Sequence, residues 1–590
     1  MSNFACAAQF FVHDRDNIGD ANPGDGVARS ADGKSTLRAA IEEANAFTGE
    51  DEIIFSTRLL GPHGSFGDTI NYQDNLITED LVFRVDEQVF SLTIFHGQID
   101  SGKHRLLTVS EGVTVRMIGP ISIQNHGAEK GGVFYVLPGG KLELSHVDMV
   151  DNHAETDGGA IYNEGGTLNF ESKIRECSAA NRGGGIYSVN YEGHVASVNL
   201  LYGEILHCDA ILGGGVFNEG GDLRLVKSYI YNCVSTGSGS AIQSTAGSLT
   251  VLNSYFYQNT SGDHGGAIVL DGGSAEIYQS GFTDNAAGES GGVLQLLNGD
   301  VRCIQSTFYR NTAGTAEGSE GQGGAVYIAP GVTFTLGNSL FAANTLGSGG
   351  QSNLFGSLTS LGGNLVAVAD GVSGLSVEND YYGSMGTPIE LTLTNLTGFG
   401  IPRVPLLPGA DSPVIDRGIS ALTIAEFPGE GAPVGDIRGE AFPRFRGMSV
   451  DIGAVEVQEV PGEGEGEGEG EGEGEGEGEG EGEISVEEAQ ALQSGFVLAD
   501  TNADGVLSYD EALASLSSLT LPKFNLLDSD NDGRLSPAEI QAYIDERTVP
   551  GCFCSQSQMR KSLKSLLGDT SILLLASAVL LGSTRMRQRL

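Results

Sequence analysis

The chain has 590 residues, of which 88 are glycine and none is tryptophan, and its formal net charge is −45. So much glycine is typical of repeats and turns rather than of an ordinary globular enzyme. The negative charge argues against nucleic acid and anionic membrane surfaces, which attract Lys and Arg, and it suits a solvated extracellular protein. We expect a monomer with no nucleic-acid partner. The seven cysteines show no disulfide framework.

The N-terminal region contains a processing signal and a helix. Small residues before Gln9 are typical of a signal-peptidase site, so residues 1–8 are interpreted as the remnant of a signal peptide. Within residues 9–55, Ser35 and Thr36 precede an amphipathic stretch, which predicts a helix with a hydroxyl cap. A single helix ahead of a β repeat is expected to cap it.

Residues 56–375 contain a glycine-led motif that returns about every 26 residues, as expected of a solenoid. Its copies begin at Gly131, Gly158, Gly184, Gly214, Ser240, Gly265, Gly291 and Gly323. Short alternating strands lie between the copies. Glycine supplies the left-handed or closely packed backbone that a sharp corner requires. The pattern predicts a mainly β protein containing a right-handed parallel β-helix.

A second element keeps step with the first: an apolar residue is followed three places later by Asn or Cys. The Asn and Cys positions are Asn152, Cys177, Cys208, Cys233, Asn259, Asn285, Asn311 and Asn344. Stacked Asn side chains are expected to bond from coil to coil, with the cysteines continuing the ladder as small buried side chains. A metal site or disulfides in the cysteine stretch is the alternative, although stacked side chains point in parallel.

Beyond the repeat, residues 376–457 carry three polar positions of interest, Asp416, Arg438 and Asp451. They are interpreted as a paired, hydrogen-bonded cap that hides the edge of the last coil, with catalysis as the alternative. Residues 458–483 are largely alternating Gly and Glu, which cannot bury apolar surface, so they predict a disordered spacer.

Residues 484–548 contain two loops whose oxygen-bearing residues have the spacing that calcium requires, with a glycine at the sixth position. The predicted ligands are Asp500, Asn502, Asp504, the carbonyl of Val506, Ser508 and Glu511 in the first loop, and Asp528, Asp530, Asp532, the carbonyl of Arg534, Ser536 and Glu539 in the second. Two Ca²⁺ ions are predicted. The second loop offers four carboxylates against three and is expected to bind more tightly.

Residues 549–590 combine Cys552 and Cys554 with a spacer, an apolar run and a basic tail. The order predicts a short transmembrane helix with the arginines inside. Cys552 or Cys554 is then the attachment or recognition residue of a sorting signal. A plain membrane anchor is the alternative, and a buried core helix leaves the arginines unexplained.

Several of these segments resemble known families. Residues 9–55 resemble the bacterial CSLREA family, but its usual cysteine pair corresponds here to Ala28 and Ser35, so the disulfide that the resemblance implies is absent. The repeats are similar to those of polymorphic outer-membrane proteins, which implies adhesion. Residues 376–457 resemble the choice-of-anchor Q domain, the two loops resemble an EF-hand pair, and the C-terminus resembles bacterial sorting signals.

Together these features predict a calcium-binding β-helix protein that is secreted and anchored at the bacterial cell surface or outer membrane. An adhesin or glycan-binding scaffold is the leading interpretation, with extracellular glycans or other cells as partners. The alternative is a polysaccharide lyase or glycoside hydrolase, because such enzymes also use β-helices. Its candidate acids are Asp148, Asp151 and Asp263, but corner acids are usually solvated turn residues.

Overall fold

The computed structural model describes residues 7–56, 65–68, 75–86, 92–96, 104–376, 378–395, 405–409, 411–425, 435–445 and 448–458, and further along 489, 492–493, 496, 506–508, 512, 516, 527 and 534–548. The chain divides into two compact units, residues 1–464 and 465–590, each considered by itself below. Most of the predicted signal remnant, nearly all of the Gly-Glu spacer and the whole of 549–590, with Cys552 and Cys554, lie outside the described residues.

The first unit is a parallel β-solenoid of about eleven turns, which confirms the predicted mainly β class. Its larger sheet consists of Gln9–Val12, Asp51–Phe55, Ser65–Asp68, Asn75–Ile77, Leu81–Val85, Leu92–His96, Leu107–Val109, Thr114–Gln124, Phe134–Val136, Lys141–Val150, Ile161–Glu164, Thr167–Arg175, Ile186–Val189, Ser197–Leu201, Glu204–Leu206, Val216–Val226, Tyr229–Tyr231, Ile242–Leu252, Tyr255–Tyr257, Ile268–Tyr278, Gly281–Thr283, Leu294–Ile304, Thr307–Tyr309, Val326–Ile328, Thr333–Gly337, Leu340–Ala342, Leu354–Ser357, Thr359–Gly362, Leu365–Val366, Val372–Ser373 and Tyr381–Tyr382. The smaller, nine-stranded sheet consists of Gly127–Lys130, His153–Asp157, Ser178–Ala179, Asp209–Ala210, Val234–Ser235, Thr260–Ser261, Ala286–Ala287, Thr312–Ala313 and Thr345–Leu346. The right-handed sense stays a prediction, as expected for parallel crossovers.

The repeat spacing sets the register between coils. Ile242 pairs with Ile268, and Ile268 pairs with Leu294, so equivalent residues of successive repeats lie side by side. Inward positions alternate with outward ones along each strand, and the inward side chains form one continuous apolar core. Within it, Phe256, Phe282 and Phe308 stack ring on ring, with centroids 4.9 and 4.7 Å apart.

The two glycines of the corner at Gly158 and Gly159 meet different requirements. Gly158 has a φ of +71°, a conformation that residues with a Cβ rarely adopt. Gly159 has no such φ, but a Cβ there would lie 2.0 Å from the carbonyl oxygen of Gly184 on the next coil. The first position therefore needs glycine for its backbone conformation and the second needs it for close packing between coils.

The predicted asparagine ladder is present and is longer than the sequence indicated. Nδ2 of Asn259 donates to Oδ1 of Asn285 at 3.0 Å, and the same bond links Asn285 to Asn311 and Asn311 to Asn344. One more step, from Asn344 to Asn353 at 2.8 Å, was missed because it spans only nine residues. Each of these carboxamides is fully buried and hydrogen-bonded to the next one, so the ladder holds the coils in one register.

Cysteines continue the ladder on the preceding coils as buried free thiols, which agrees with the packing interpretation. Nδ2 of Asn152 reaches Sγ of Cys177 at 3.6 Å, and Oδ1 of Asn259 accepts from the backbone N–H of Cys233 at 3.0 Å. Burial raises the pKa of the Cys177 thiol well above its ordinary value, so this thiol stays neutral. A fourth thiol, Cys303, is also buried.

A second ladder of serines runs along another corner and had not been predicted. The backbone N–H of Ser254 donates to Oγ of Ser280 at 3.2 Å, and the N–H of Ser280 donates in the same way to Ser306. Each hydroxyl in turn donates to a carbonyl of its own coil, as Ser280 does to Tyr278 at 2.7 Å. The buried backbone N–H groups and serine hydroxyls at this corner therefore all have hydrogen-bond partners.

The predicted N-terminal helix is present at Leu37–Ala44, and Oγ1 of Thr36 caps it by accepting from the N–H of Ala39 at 3.1 Å. Its apolar face packs against the first strands of the solenoid. Glu43 is fully buried and accepts backbone N–H bonds from Gly24 and Gly26, which fixes the preceding loop.

The C-terminal part of the first unit folds back along the side of the solenoid. It contains the pairs Leu393–Asn395 with Pro405–Pro408 and Gly435–Asp436 with Gly439–Pro443, and a helix at Ser420–Ala425. The N–H of Ala454 donates to Oγ1 of Thr307 at 2.9 Å, and Oη of Tyr255 donates to the carbonyl of Ile437 at 3.4 Å. These contacts lie on coils that precede the last one.

The three polar residues predicted in this part are all engaged in local bonds. Arg438 pairs with Asp436, with Nε 2.9 Å and Nη2 2.6 Å from Oδ2, and both side chains are buried. Asp416 accepts from the backbone N–H of Ser449 at 3.0 Å, and Asp451 accepts from the N–H of Asp416 at 2.8 Å. Hydrogen bonding is therefore observed, but Arg438 pairs with Asp436 rather than with Asp416 or Asp451, and the segment lies along the side of the coils. A cap over the edge of the last coil stays a prediction.

The described parts of the second unit include the strands Leu507–Ser508 and Arg534–Leu535 and a helix at Pro537–Thr548. A separate apolar core holds this unit together, formed by Ala489, Leu492, Phe496, Leu507, Ala512, Leu527, Leu535, Ile540, Tyr543 and Ile544. No helix among the described residues is both long enough and apolar enough to span a membrane.

Candidate functional site

The two predicted calcium loops meet through a short antiparallel pair of strands. Leu507 lies opposite Leu535, which places the eighth positions of the two loops against one another, and Ser508 lies opposite Arg534. Both leucines are fully buried. Because the common core also draws on residues before and after each loop, the two loop regions fold as one unit.

At the end of the second loop, Ser536 and Glu539 form a reciprocal cap on the helix Pro537–Thr548. The N–H of Ser536 donates to Oε2 of Glu539 at 2.9 Å, and its hydroxyl donates to the same oxygen at 2.8 Å. The N–H of Glu539 donates back to Oγ of Ser536 at 3.3 Å. Pro537 at the first helical position suits this start, since its missing N–H has no helical partner there.

The cap places two predicted ligands side by side. Ser536 is the ninth residue of the second loop and Glu539 is the twelfth, the position that supplies a two-oxygen ligand to calcium. Val506, Ser508 and Arg534 lie at or in the paired strands. The remaining predicted ligands lie outside the described residues: Asp500, Asn502, Asp504, Glu511, Asp528, Asp530 and Asp532. A hard cation prefers such an all-oxygen donor set, so the residues fit calcium.

Comparison with known proteins agrees with this assignment for one loop. The EF-hand family model matches residues 523–544, which contain the whole second loop and most of the helix that follows it. An EF-hand there indicates calcium binding. Comparison with curated proteins found no significant match, and comparison with solved structures found none either.

The three candidate catalytic acids do not come together. Oδ1 of Asp148 accepts from Nε of Arg175 at 2.9 Å, and Oδ2 accepts from Nη2 of the same residue. Asp151 is the corner residue, with a φ of +54°, and Asp263 is exposed at another corner four coils further along, a rise of about 19 Å along the axis at about 4.8 Å per coil. In the described residues, no group of three or more His, Cys, Asp or Glu side chains could hold a metal ion.

Asp148 nevertheless lies in a groove that the sequence did not indicate. The groove has a volume of about 640 Å³ and includes Arg175, Tyr202 and Tyr231. These residues belong to different repeats, and only the register between coils brings them together. The sequence pattern that could have indicated the groove is a set of polar and aromatic residues at outward positions of equivalent strands. Lys173, for example, lies opposite Asp148 on the neighbouring strand.

Proposed function

We propose that this protein is a calcium-binding bacterial β-solenoid displayed at the cell surface, where the solenoid serves as a glycan-binding, adhesive scaffold. The observation that carries the calcium part is the joined pair of loops, in which Ser536 and Glu539 are already held as neighbours. The family match to the second loop supports it. The first loop has a complete set of oxygen donors too, so the proposal extends to a pair of EF-hands and two Ca²⁺ ions.

Calcium would supply a compact positive charge that holds the carboxylates of a loop together. In the second loop Asp528, Asp530, Asp532 and Glu539 would be the charged ligands, with Ser536 and the carbonyl of Arg534 completing the set. Without the ion these like charges repel one another. Calcium should therefore stabilise the second unit, by an amount that rises with its free concentration.

The surface part of the proposal rests on the sequence. A strongly acidic repeat protein with a Gly-Glu spacer and an apolar run followed by arginines resembles anchored bacterial surface proteins of the CSLREA and choice-of-anchor Q type. Protease treatment of intact cells tests it: the solenoid should be cleaved or released from outside while a cytoplasmic marker survives. Protection of the solenoid until the cells are lysed would contradict surface display.

The calcium part is tested by calorimetric titration of the full chain. Glu539→Gln removes one ligand charge but keeps a side chain that can cap the helix, so a selective loss of calcium affinity is expected. Glu546→Gln, the same change beyond the loop, is the control. Glu511→Gln should weaken a second, lower-affinity event. Unchanged heats with Glu539→Gln would refute the assignment, and tighter binding by the first loop would refute the predicted order.

Catalysis is the competing function, and the full chain with calcium should be incubated with a polysaccharide panel. We expect no reducing ends and no unsaturated products, because Asp148 is paired with Arg175 and Glu204 in the same groove is paired with Lys173. Release of product from any polymer would overturn the scaffold proposal.

A further inference from the structure

An open groove runs along the solenoid where the second strand of each coil bends into the third. Residues of five successive coils line it, from Pro120 to Tyr231, and its volume is about 640 Å³. A smaller groove of about 310 Å³ adjoins it and shares Glu171. Successive coils advance by about 4.8 Å, which is close to the advance of one sugar unit in an extended polysaccharide. The groove is therefore shaped for a linear chain rather than a compact molecule.

The polar side chains of this groove are joined in pairs between coils. Arg175 holds Asp148 through two nitrogen atoms, and Nζ of Lys173 lies 2.9 Å from Oε1 of Glu204. Glu171 is exposed beside them. Three carboxylates against two cations leave the groove with no excess positive charge. Paired charged groups that retain free lone pairs and N–H bonds can bind hydroxyls in both directions, since a hydroxyl both donates and accepts.

Aromatic rings stand between these pairs. Tyr202 is 50% exposed although it is a large ring, and it marks the bend of its coil with a φ of +52°. Nζ of Lys227 lies 3.2 Å from its hydroxyl and 5.4 Å from the ring centre, so one edge of the ring is fixed. Tyr231 is half-buried in the same groove. Rings held in this way offer flat apolar surface with a polar tip.

On the following coils the chain covers the same side of the solenoid with its own C-terminal part. Nε2 of Gln279, at the equivalent bend, donates to the carbonyl of Gly435 at 2.9 Å, and Asn338 exchanges two hydrogen bonds with Ile419. Leu406 packs on Tyr255. An extended backbone thus already occupies this side downstream. There the lining is apolar and amide-bearing, with the Tyr255 hydroxyl already bonded to Ile437, whereas the open part carries charged pairs and an exposed tyrosine, Tyr202.

From this contrast we infer that the open groove binds an extended, neutral polysaccharide through Tyr202, Tyr231 and the two charged pairs. This inference rests on the proposed glycan-binding function and assigns its site. A peptide is disfavoured because the open groove carries two charged pairs, whereas amide side chains such as that of Gln279 bond the backbone that lies downstream. A polyanionic polysaccharide is disfavoured because the groove has no excess positive charge even when Lys227 beside Tyr202 is counted, and the whole chain carries a net charge of −45.

The test is affinity electrophoresis of the full chain in native gels that contain hydroxyethyl cellulose, galactomannan, dextran or polygalacturonate. We expect at least one of the three neutral polymers to retard the protein and polygalacturonate not to do so. Tyr202→Ala should weaken retardation roughly tenfold or more, as removal of a central aromatic contact does. Tyr191→Ala is the matched control, because Tyr191 is also an exposed tyrosine, at 41%, but lies outside the groove.

The possible outcomes distinguish the assignment of the groove from the proposal that the protein binds glycans at all. Retardation that Tyr202→Ala leaves unchanged, or that Tyr191→Ala reduces equally, overturns the groove assignment while glycan binding stands. Preference for polygalacturonate overturns the neutral-ligand inference. Absence of retardation by all four polymers overturns both the groove and the proposed glycan-binding scaffold. Circular dichroism of Tyr202→Ala should match that of the unchanged protein, since the ring is half exposed.

Discussion

Truncation of one asparagine in the ladder should cost the solenoid several kcal/mol. In Asn285→Ala, the backbone N–H of Asn259 loses the oxygen that accepts from it at 3.0 Å. Three further bonds disappear, those that join the carboxamide of Asn285 to Asn259, Phe256 and Asn311. A buried N–H left without a partner costs about 1–3 kcal/mol, and each lost bond contributes about 1 kcal/mol.

We therefore expect Asn285→Ala to lower the free energy of unfolding by about 4–6 kcal/mol, a value in the exceptional range for one substitution. Urea unfolding followed by the far-ultraviolet circular dichroism of the β structure measures it, since the chain has no tryptophan. The control is Asn298→Ala, because Asn298 is exposed and bonds only outward, to Asp271 at 2.6 Å. It should change stability by less than about 0.5 kcal/mol.

Equal effects of the two substitutions on stability would refute this reasoning. If Asn285→Ala and Asn298→Ala shift the urea midpoint equally, the ladder does not stabilise the solenoid, and apolar stacking alone would have to hold the coils. Because repeats contact mainly their neighbours, unfolding can proceed in steps, and the comparison should use the transition that the variant moves.

Three further substitutions test other contacts. Phe308→Ala removes the ring 4.7 Å from that of Phe282 and should cost about 3–5 kcal/mol by calorimetry; a loss below about 1 kcal/mol would contradict tight packing. Burial raises the pKa of the Cys303 thiol to about 12 in the folded protein. Above the ordinary pKa of a thiol the unfolded chain ionises at this residue while the folded protein does not, so the stability of the fold decreases as the pH rises. The free energy of unfolding should fall from about pH 8 to about pH 10, by about 1 kcal/mol less in Cys303→Ala, and equal slopes would refute this. Ser536→Ala removes the helix cap on Glu539 and should cost the second unit about 1 kcal/mol in calcium-free thermal unfolding, whereas an unchanged midpoint would show that the cap adds nothing.

The repeat could be predicted from the sequence because identical structural needs recur at identical spacing. Asn285 and Asn311 lie 26 residues apart, face the same corner and bond to each other, so spacing alone placed them. Asn353 broke the spacing and was missed for that reason. The serine ladder through Ser254 and Ser280 did keep the spacing, but serine is so common at turns that the pattern did not stand out.

Contacts between distant parts of the chain could not be predicted in the same way. Tyr255 and Ile437 are 182 residues apart, and nothing local to either residue indicates the other. The groove also could not be predicted locally, because the contact between Asp148 and Arg175 is set by the register between neighbouring coils. For the second loop the order of oxygen donors was enough, since calcium ligands follow one another within twelve residues.

The folded-back C-terminal part also determines where tension would act. Any pull transmitted through the chain after Gln458 reaches the solenoid at the bonds of Ala454 to Thr307 and Ile437 to Tyr255, well before the final coil at Tyr381–Tyr382. Buried Arg444 ties this attachment together by donating to the carbonyls of Asp451 and Gly453. The load thus enters the solenoid at its side and ahead of its terminal turn, and the mechanical strength of the protein should depend on this lateral attachment.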